Sequence, residues 1–286
     1  MIPLEYASAQ ERFYDYCLWE YPPVAAHENK FMPINLLLQS FHNQGLSGRA
    51  TERVQAIRQG FGPSRTVWGI KLEGDEIRWE FYFYDYERME RQRSISRLLK
   101  IITPWNACNI RVNEHTPYFM FSVEFNRKLL TEGAPLEEIQ MYIGNVGSSV
   151  SSGICYELTE SATIMKNFYF FFDAKTQMDE IVGKVCSSAY LDLPRLDINS
   201  VLWPELRDCQ TIVVANKRTH DGVYFSRITV SQLLIFLKRM HYPDGEIAFI
   251  EQNQGMLDHL LYDVGFDYRM EDGRVKILKS SYYGTF

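Results

Sequence analysis

The sequence predicts an α+β fold: a closed antiparallel β-barrel with a polar lumen, surrounded by α-helices. Three observations predict it. Strand-like segments come in hairpins with helical segments between them, and hairpins make antiparallel neighbours rather than a parallel sheet. The strands of the first hairpin are apolar on one face and mixed charge and tyrosine on the other, which suits a sheet covered by helices outside and closed on itself inside. The 286 residues include 18 Tyr and 18 Phe, gathered in runs such as "EFYFYDY", "YFMFSVEF", "NFYFFFDA" and "KSSYYGTF" that favour strands.

Residues 1–60 read as a mainly helical N-terminal segment, because "PINLLLQSFHNQ" and "RATERVQAIRQG" place apolar residues three and four apart. From Val67 the period changes to two. "VWGIKLEGDEIRWEFYFYDYE" is a hairpin turning at "EGDE", and "RMERQRSISRLLKIITP" follows it as a helix that Pro104 stops. "YFMFSVEF" is a strand, and "NRKLLTEGAPLEEIQMYIG" suits helix, strand or both. "SGICYELTESATIMKNFYFFFDA" is a second hairpin, followed by the helix "KTQMDEIVGKVCSSAY". A third, "QTIVVANKRTHDGVYFSRI", turns at His220-Asp221-Gly222 and leads into the helix "TVSQLLIFLKRMHYP", with Thr229 as N-cap. The hairpin "VGFDYRMEDGRVKILKSSYYGTF" turns at Asp272-Gly273. No Pro-, Gly- or Ser-rich linker divides the chain, so residues 1–286 are expected to form a single barrel domain.

Alternation also orients side chains. Along "VWGIKL" it sets Trp68, Ile70 and Leu72 against Val67, Gly69 and Lys71; along "IRWEFYFY" it sets Trp79, Phe81 and Phe83 against Arg78, Glu80, Tyr82 and Tyr84. With the apolar face on helices, Lys71 and Arg78 look into a lumen beside tyrosines if the sheet closes on itself, and onto a solvated outer face if it stays an open two-layer α/β sheet; alternation alone suits both.

Composition removes several classes of function. Thirty basic against 36 acidic residues give a formal charge of -6, which argues against a nucleic-acid or anionic-membrane coat, so an anionic ligand must be met locally. Five scattered cysteines without a C-x-x-C pair suggest neither a disulfide framework nor a zinc ribbon. The N-terminus lacks a basic region followed by an apolar core, and no window approaches the ~18 apolar residues of a membrane helix, so a cytoplasmic location is expected. No H-E-x-x-H, P-loop or Rossmann fingerprint is present. Nor is there the D-D-x-x-D run that gathers Mg²⁺ in chain-elongating prenyl synthases.

"IKLEGDEIRWEF" resembles the first hairpin of the cyanobactin-type peptide prenyltransferases, members of the ABBA family of aromatic prenyltransferases. Their barrel (the PT barrel) transfers an isoprenyl group from a soluble isoprenyl diphosphate to a side chain or terminus of a small, usually cyclic, peptide. In that family a Lys before an acidic-Ser/Gly-Asp turn and an Arg on the return strand contact the diphosphate; Lys71, before Glu73-Gly74-Asp75, and Arg78 are the matching residues. "SGICYELTESATIMKNFYFFFDAKTQMDEI" is similar to the hairpin whose second strand opens on a Lys, here Lys166. "KRTHDGVYFSRI" is similar to a Lys-turn-Tyr-Tyr hairpin, with Lys217, Tyr224 and Phe225 as counterparts. "RVKILKSSYYGTF" resembles the closing strand, with Lys279 in place of an Arg and Tyr282 and Tyr283 on the tyrosines. The chain departs from the family at Val67, where a Glu that orients or deprotonates the acceptor is usual, and at "YLDLPRLDI", where the family has a further hairpin.

The resemblance implies a C5 or C10 donor, a peptide acceptor, Mg²⁺ with the diphosphate, and these site residues: Lys71, Arg78, Lys166, Lys217 and Lys279 on the diphosphate; Tyr82, Tyr224, Tyr282 and Tyr283 as a carbocation shield; and Glu80, inward by alternation, in place of the missing base. Converging cations assist a departing diphosphate, and aromatic faces stabilise the allylic cation left behind while shielding it from water. The alternatives are an ABBA enzyme acting on a small aromatic metabolite and a non-catalytic barrel that binds a hydrophobic ligand or partner.

Overall fold

A computed structural model of the chain describes residues 2–10, 14–16, 19–62, 66–85 and 91–286. A short ribbon of β1 (Tyr14–Tyr16) and β2 (Trp19–Tyr21) precedes α1 (Ile34–Asn43) and α2 (Ser47–Phe61). Helix therefore fills only the second half of the N-terminal segment; before it the described chain is extended or turning, with an isolated bridge between Tyr6 and Phe31. The first hairpin is β3 (Thr66–Glu73) and β4 (Glu76–Tyr84), turning at Gly74-Asp75. Helix α3 (Ile95–Ile102) is shorter than its sequence pattern, because Ser94 caps it by accepting the Arg97 N–H at 3.1 Å; residues 88–90 of that pattern lie outside the described residues. Then come β5 (Tyr118–Phe125), α4 (Arg127–Thr131) and β6 (Ile139–Gly144), so the ambiguous stretch holds both a helix and a strand.

The second hairpin is β7 (Ser152–Leu158) and β8 (Thr163–Asp173), followed by α5 (Met178–Cys186) and three single 3-10 turns. Strands β9 (Thr211–Lys217) and β10 (Asp221–Ile228) turn at residues 218–220, because Asp221 and Gly222 already pair with Asn216 and Ala215. Helix α6 (Val230–Arg239) begins at Thr229 in a capping box with Gln232, and α7 (Asp244–Gln252) and α8 (Gln254–Leu257) lead to β11 (Tyr262–Glu271) and β12 (Arg274–Thr285), which turn at Asp272-Gly273.

β3 to β12 pair antiparallel in chain order, and β12 returns to β3 in a register running from Ser280↔Leu72 to Thr285↔Val67, closing a ten-stranded barrel. The segment "YLDLPRLDI" supplies no strand, yet closure is complete. Apolar residues of the first hairpin point outward: Trp68, Ile70, Trp79, Phe81 and Phe83 are each at most 1% exposed. Trp79 meets Phe41 of α1 at 5.1 Å between ring centroids, and Phe83 meets Phe61 of α2 at 4.7 Å. Full burial of such a side chain stabilises by about 1.5–3 kcal/mol, so the hydrophobic core is the shell between barrel and helices. The lumen carries the polar face. Among the described residues no helix is long and apolar enough to cross a membrane, and Cys108, Cys155, Cys186 and Cys209 are free thiols.

Candidate functional site

The lumen has two halves. The hairpin-turn end is a polar chamber of about 300 Å³ lined by Lys71, Arg78, Lys166, Lys217 and Lys279, so the five cations expected from the sequence face one cavity. The end where the helical connections leave is an apolar chamber of about 140 Å³ lined by residues such as Val67, Tyr84, Met120, Phe171 and Val213. Five tyrosines, Tyr82, Tyr142, Tyr169, Tyr224 and Tyr283, border both chambers.

These tyrosines form a girdle. Ring centroids run from Tyr283 to Tyr82 at 5.8 Å, to Tyr142 at 6.4 Å, to Tyr169 at 6.0 Å and to Tyr224 at 6.2 Å, each at tilted or edge-on angles. Strand register explains the girdle, because inward positions of neighbouring strands bring successive phenols to one level. Two glycines make room for it. A Cβ on Gly69 would lie 2.7 Å from Tyr283 ring carbons, and one on Gly265 would lie 2.1 Å from Tyr224, so these rings lie over bare backbone that no other residue supplies. Burial pushes all five phenols above their ordinary value, which keeps the girdle neutral and protonated at physiological pH.

Tyr282, expected in the shield, is on the opposite face. Alternation sends it outward when Tyr283 points inward; its ring packs on Trp68 and Tyr242, and its hydroxyl donates to Glu246 Oε2 at 3.1 Å. Phe225 is likewise outward and fully buried. Tyr142 and Tyr169 were missed. Both obey period-two alternation, in "IQMYIG" and "TIMKNFYFFFD", but their level in the barrel depends on register across β6, β7 and β8, including the bulge at Cys155/Tyr156.

The charges divide the polar chamber into two sides. On one, Asp267 is 2% exposed; Lys217 Nζ stands 2.5 Å from its Oδ1, while His220 Nε2 and Lys279 Nζ stand 3.2 and 3.3 Å from its Oδ2. Tyr224 also donates to Asp267, at 3.3 Å, and accepts from Lys217 at 3.0 Å. Burial alone would raise the Asp267 carboxyl, but Lys217 and Lys279 outweigh it and hold that group well below the ordinary carboxylate range. Lys217 moves below the ordinary lysine value because burial, with repulsion from Lys279 and Lys71, exceeds the pull of Asp267. This side is therefore short of negative charge.

The other side has the reverse balance. Lys71 contacts Glu80 and reaches Glu124 Oε2 at 2.8 Å; these two carboxylates outweigh burial and raise its ammonium well above the ordinary value. Glu124 falls to about 2 despite its burial, chiefly through Lys71. Arg78 lies 2.8 Å from Glu76, 3.3 Å from Glu124 and 3.4 Å from Glu73, and its side chain is one-third exposed at the mouth. Lys166, also at the mouth, pairs with Glu157.

Glu80 faces the polar chamber, as alternation requires. Ser122 donates to its Oε1, and Tyr82 (2.5 Å) and Lys71 contact its Oε2, so both oxygens are engaged on the polar side of the girdle. That geometry positions Lys71 and Tyr82 and does not face the apolar half. The acids Glu124, Glu157 and Asp267 and the base His220 were not nominated from the sequence; alternation of Met120, Ser122 and Glu124, and of Gly265 and Asp267, was the available signal.

Among the described residues no three His, Cys, Asp or Glu side chains converge as a preformed metal centre. Mg²⁺ needs only one or two carboxylates when phosphates supply its other ligands. Glu138 and Glu157 line the chamber together, burial followed by the Glu157 charge pushes Glu138 up, and Glu157 already contacts Lys166, so a hard cation there would add to that lysine in offsetting the two carboxylates. The pair fits such an ion. No family model matches this sequence, and no curated protein matches it.

Proposed function

We propose that this chain transfers a C5 or C10 isoprenyl group from an isoprenyl diphosphate to a side chain or terminus of a peptide. The observation that carries the reading is the girdle of five tyrosines between a chamber with converging cations and an apolar chamber. The diphosphate is assigned to the Lys217, His220 and Lys279 side, where two lysines share the one carboxylate of Asp267, with Lys71 opposite and Arg78 and Lys166 at the mouth. Magnesium held with the diphosphate by Glu138 and Glu157 would supply further neutralisation of the leaving group.

Ionisation breaks the bond between C1 of the donor and the bridging oxygen, and the electron pair leaves with the diphosphate. Each ammonium about 4 Å from that charge contributes about 4 kcal/mol at an effective dielectric of ~20, before desolvation is subtracted. C1 then lies at the girdle, where phenol faces stabilise the allylic cation by about 2 kcal/mol or more per ring once water is excluded. Neutral phenols fit that task, because they present electron-rich faces without competing as anionic nucleophiles. The acceptor approaches from the apolar half, opposite the leaving group.

Phe119, Phe171 and Val213 at the rim of that half are partly exposed, which favours an acceptor larger than the lumen, a peptide, over a small aromatic metabolite. A second reading has its own observation: Lys71, Arg78, Lys166 and Lys217 already face carboxylates, as they would in a non-catalytic barrel that holds a hydrophobic ligand. Incubation with dimethylallyl and geranyl diphosphate, Mg²⁺, cyclic peptides and small phenols and indoles decides between them. Isoprenyl mass added to a peptide supports the proposal, mass added to a small aromatic redirects it, and intact donors with every acceptor favour the binding barrel.

A further inference from the structure

Prenyl transfer leaves a proton to be taken from the acceptor, and Val67 offers no base at the start of β3. Glu80 is on the donor's side of the girdle with both oxygens engaged. Among the described residues lining the apolar chamber, Asp263 is the one acid. It is the second residue of β11, pairs in register with Ser226 on β10 and Tyr283 on β12, and is 8% exposed. Its Oδ1 accepts the Arg227 N–H at 2.7 Å, in a bulge between Ser226 and Ile228 where Arg227 holds φ at 65°. The bulge therefore fixes a carboxylate in the wall of the acceptor's half, beside a girdle tyrosine.

We infer that Asp263 is a catalytic residue that receives the acceptor's proton. The assignment rests on the prenyl-transfer reading of the lumen. As the C1–oxygen bond breaks and its pair departs with the diphosphate, a lone pair or π pair of the acceptor forms the new bond to C1. The acceptor becomes cationic, so its N–H, O–H or ring C–H turns strongly acidic and a nearby carboxylate can take the proton. The pair of that bond returns to the acceptor, the proton goes to Asp263, and the rim passes it to solvent. The acceptor class implied is a peptide nucleophile that carries a removable hydrogen when it attacks.

Asp263→Asn retains an oxygen for the Arg227 N–H while removing the charge and basicity of the carboxylate. Wild type and D263N are compared with dimethylallyl diphosphate and the peptide panel by three measurements: titration of dimethylallyl thiolodiphosphate, the ratio of prenylated peptide to dimethylallyl alcohol, and the pH dependence of transfer. The expected result is unchanged analogue binding, transfer to peptide slowed by about 100-fold or more, a product ratio shifted toward the alcohol, and loss of the acidic limb of the pH profile. D263N transfer within about threefold of wild type, an acidic limb that persists, or loss of analogue binding would each overturn the assignment, the last by showing a structural role. A wild type that consumes no donor with any peptide refutes the prenyl-transfer reading itself, before the variant is compared.

Discussion

Replacing Asp267 with Asn separates stability from anion binding in one substitution. The carboxylate is 2% exposed and partners Lys217, whose side chain is 7% exposed, together with His220 and Lys279. Removing one member of a buried charge pair costs about 3–5 kcal/mol, because the remaining ion stays desolvated. Lys279 is 30% exposed and adds little beyond that after screening by solvent. At about 2–4 °C per kcal/mol for a chain of this order of size, the apo variant should melt roughly 6–20 °C below wild type. The same change deletes a negative charge from the proposed diphosphate subsite. At about 6 Å and an effective dielectric of ~20 that repulsion is about 3 kcal/mol, and after a discount for solvent screening its removal leaves a gain of about tenfold in affinity for inorganic pyrophosphate. Melting curves with increasing pyrophosphate at 0.15 M salt read both effects, since a ligand at about 100 times its Kd stabilises by about 2.7 kcal/mol. Pyrophosphate should rescue D267N more strongly than it stabilises wild type. Equal or weaker rescue would refute the anion-subsite assignment, and an unchanged melting point would refute the pair's contribution to the fold. In wild type the contribution of Asp267 is complete above about pH 4, where the unfolded carboxyl ionises, and is lost only as pH falls through its much lower folded value.

Glu246 gives the opposite pH signature. It is 1% exposed on the buried face of α7, and burial lifts its carboxyl to about 7. A raised folded value means stability is fully present below the unfolded value near 4.3 and is lost as pH rises through 7, by about 4 kcal/mol at 1.36 kcal/mol per unit. Denaturant unfolding of Glu246→Gln should therefore be flatter than wild type between pH 5 and 8 and more stable at the upper end; parallel curves would show that Glu246 does not set this slope. Gly265→Ala places a Cβ 2.1 Å from Tyr224 and should displace that ring, costing about 1–3 kcal/mol and loosening the Lys217–Tyr224–Asp267 contacts. A melt within 1 °C of wild type, about what a few tenths of a kcal/mol shifts a chain of this size, would mean the girdle tolerates a methyl group there.

Period-two alternation was enough to place Lys71, Arg78, Glu80 and Tyr82 in the lumen, and turn chemistry at Gly74-Asp75 and Asp272-Gly273 was enough to place two hairpins. Alternation states which face a side chain occupies but not how high it sits in the barrel. Level depends on pairing between strands distant in sequence and on bulges, so Tyr142 and Tyr169 entered the girdle only once register was known. Tyr282 shows the cost of reading a run of tyrosines as a unit when adjacent residues in a strand must diverge. The acids Glu124, Glu157 and Asp267 follow from a different physical demand than the anion does, since a lysine buried in a lumen needs a carboxylate beside it. Among the described residues, the expectation of a mainly helical segment over residues 1–60 holds only from Ile34, because both periodic runs behind it lie beyond residue 32.

The seam between β3 and β12 also bears on how the protein is made. The free edge of β3 has no permanent neighbour until residues 280–285 have left the ribosome. Throughout synthesis a growing sheet with aromatic residues on one side and ionised groups on the other must wait with an open border, the state in which strands join the wrong chain. Yield in a heterologous host should therefore fall steeply with temperature and with any lesion in the last strand, long before the finished barrel itself is destabilised.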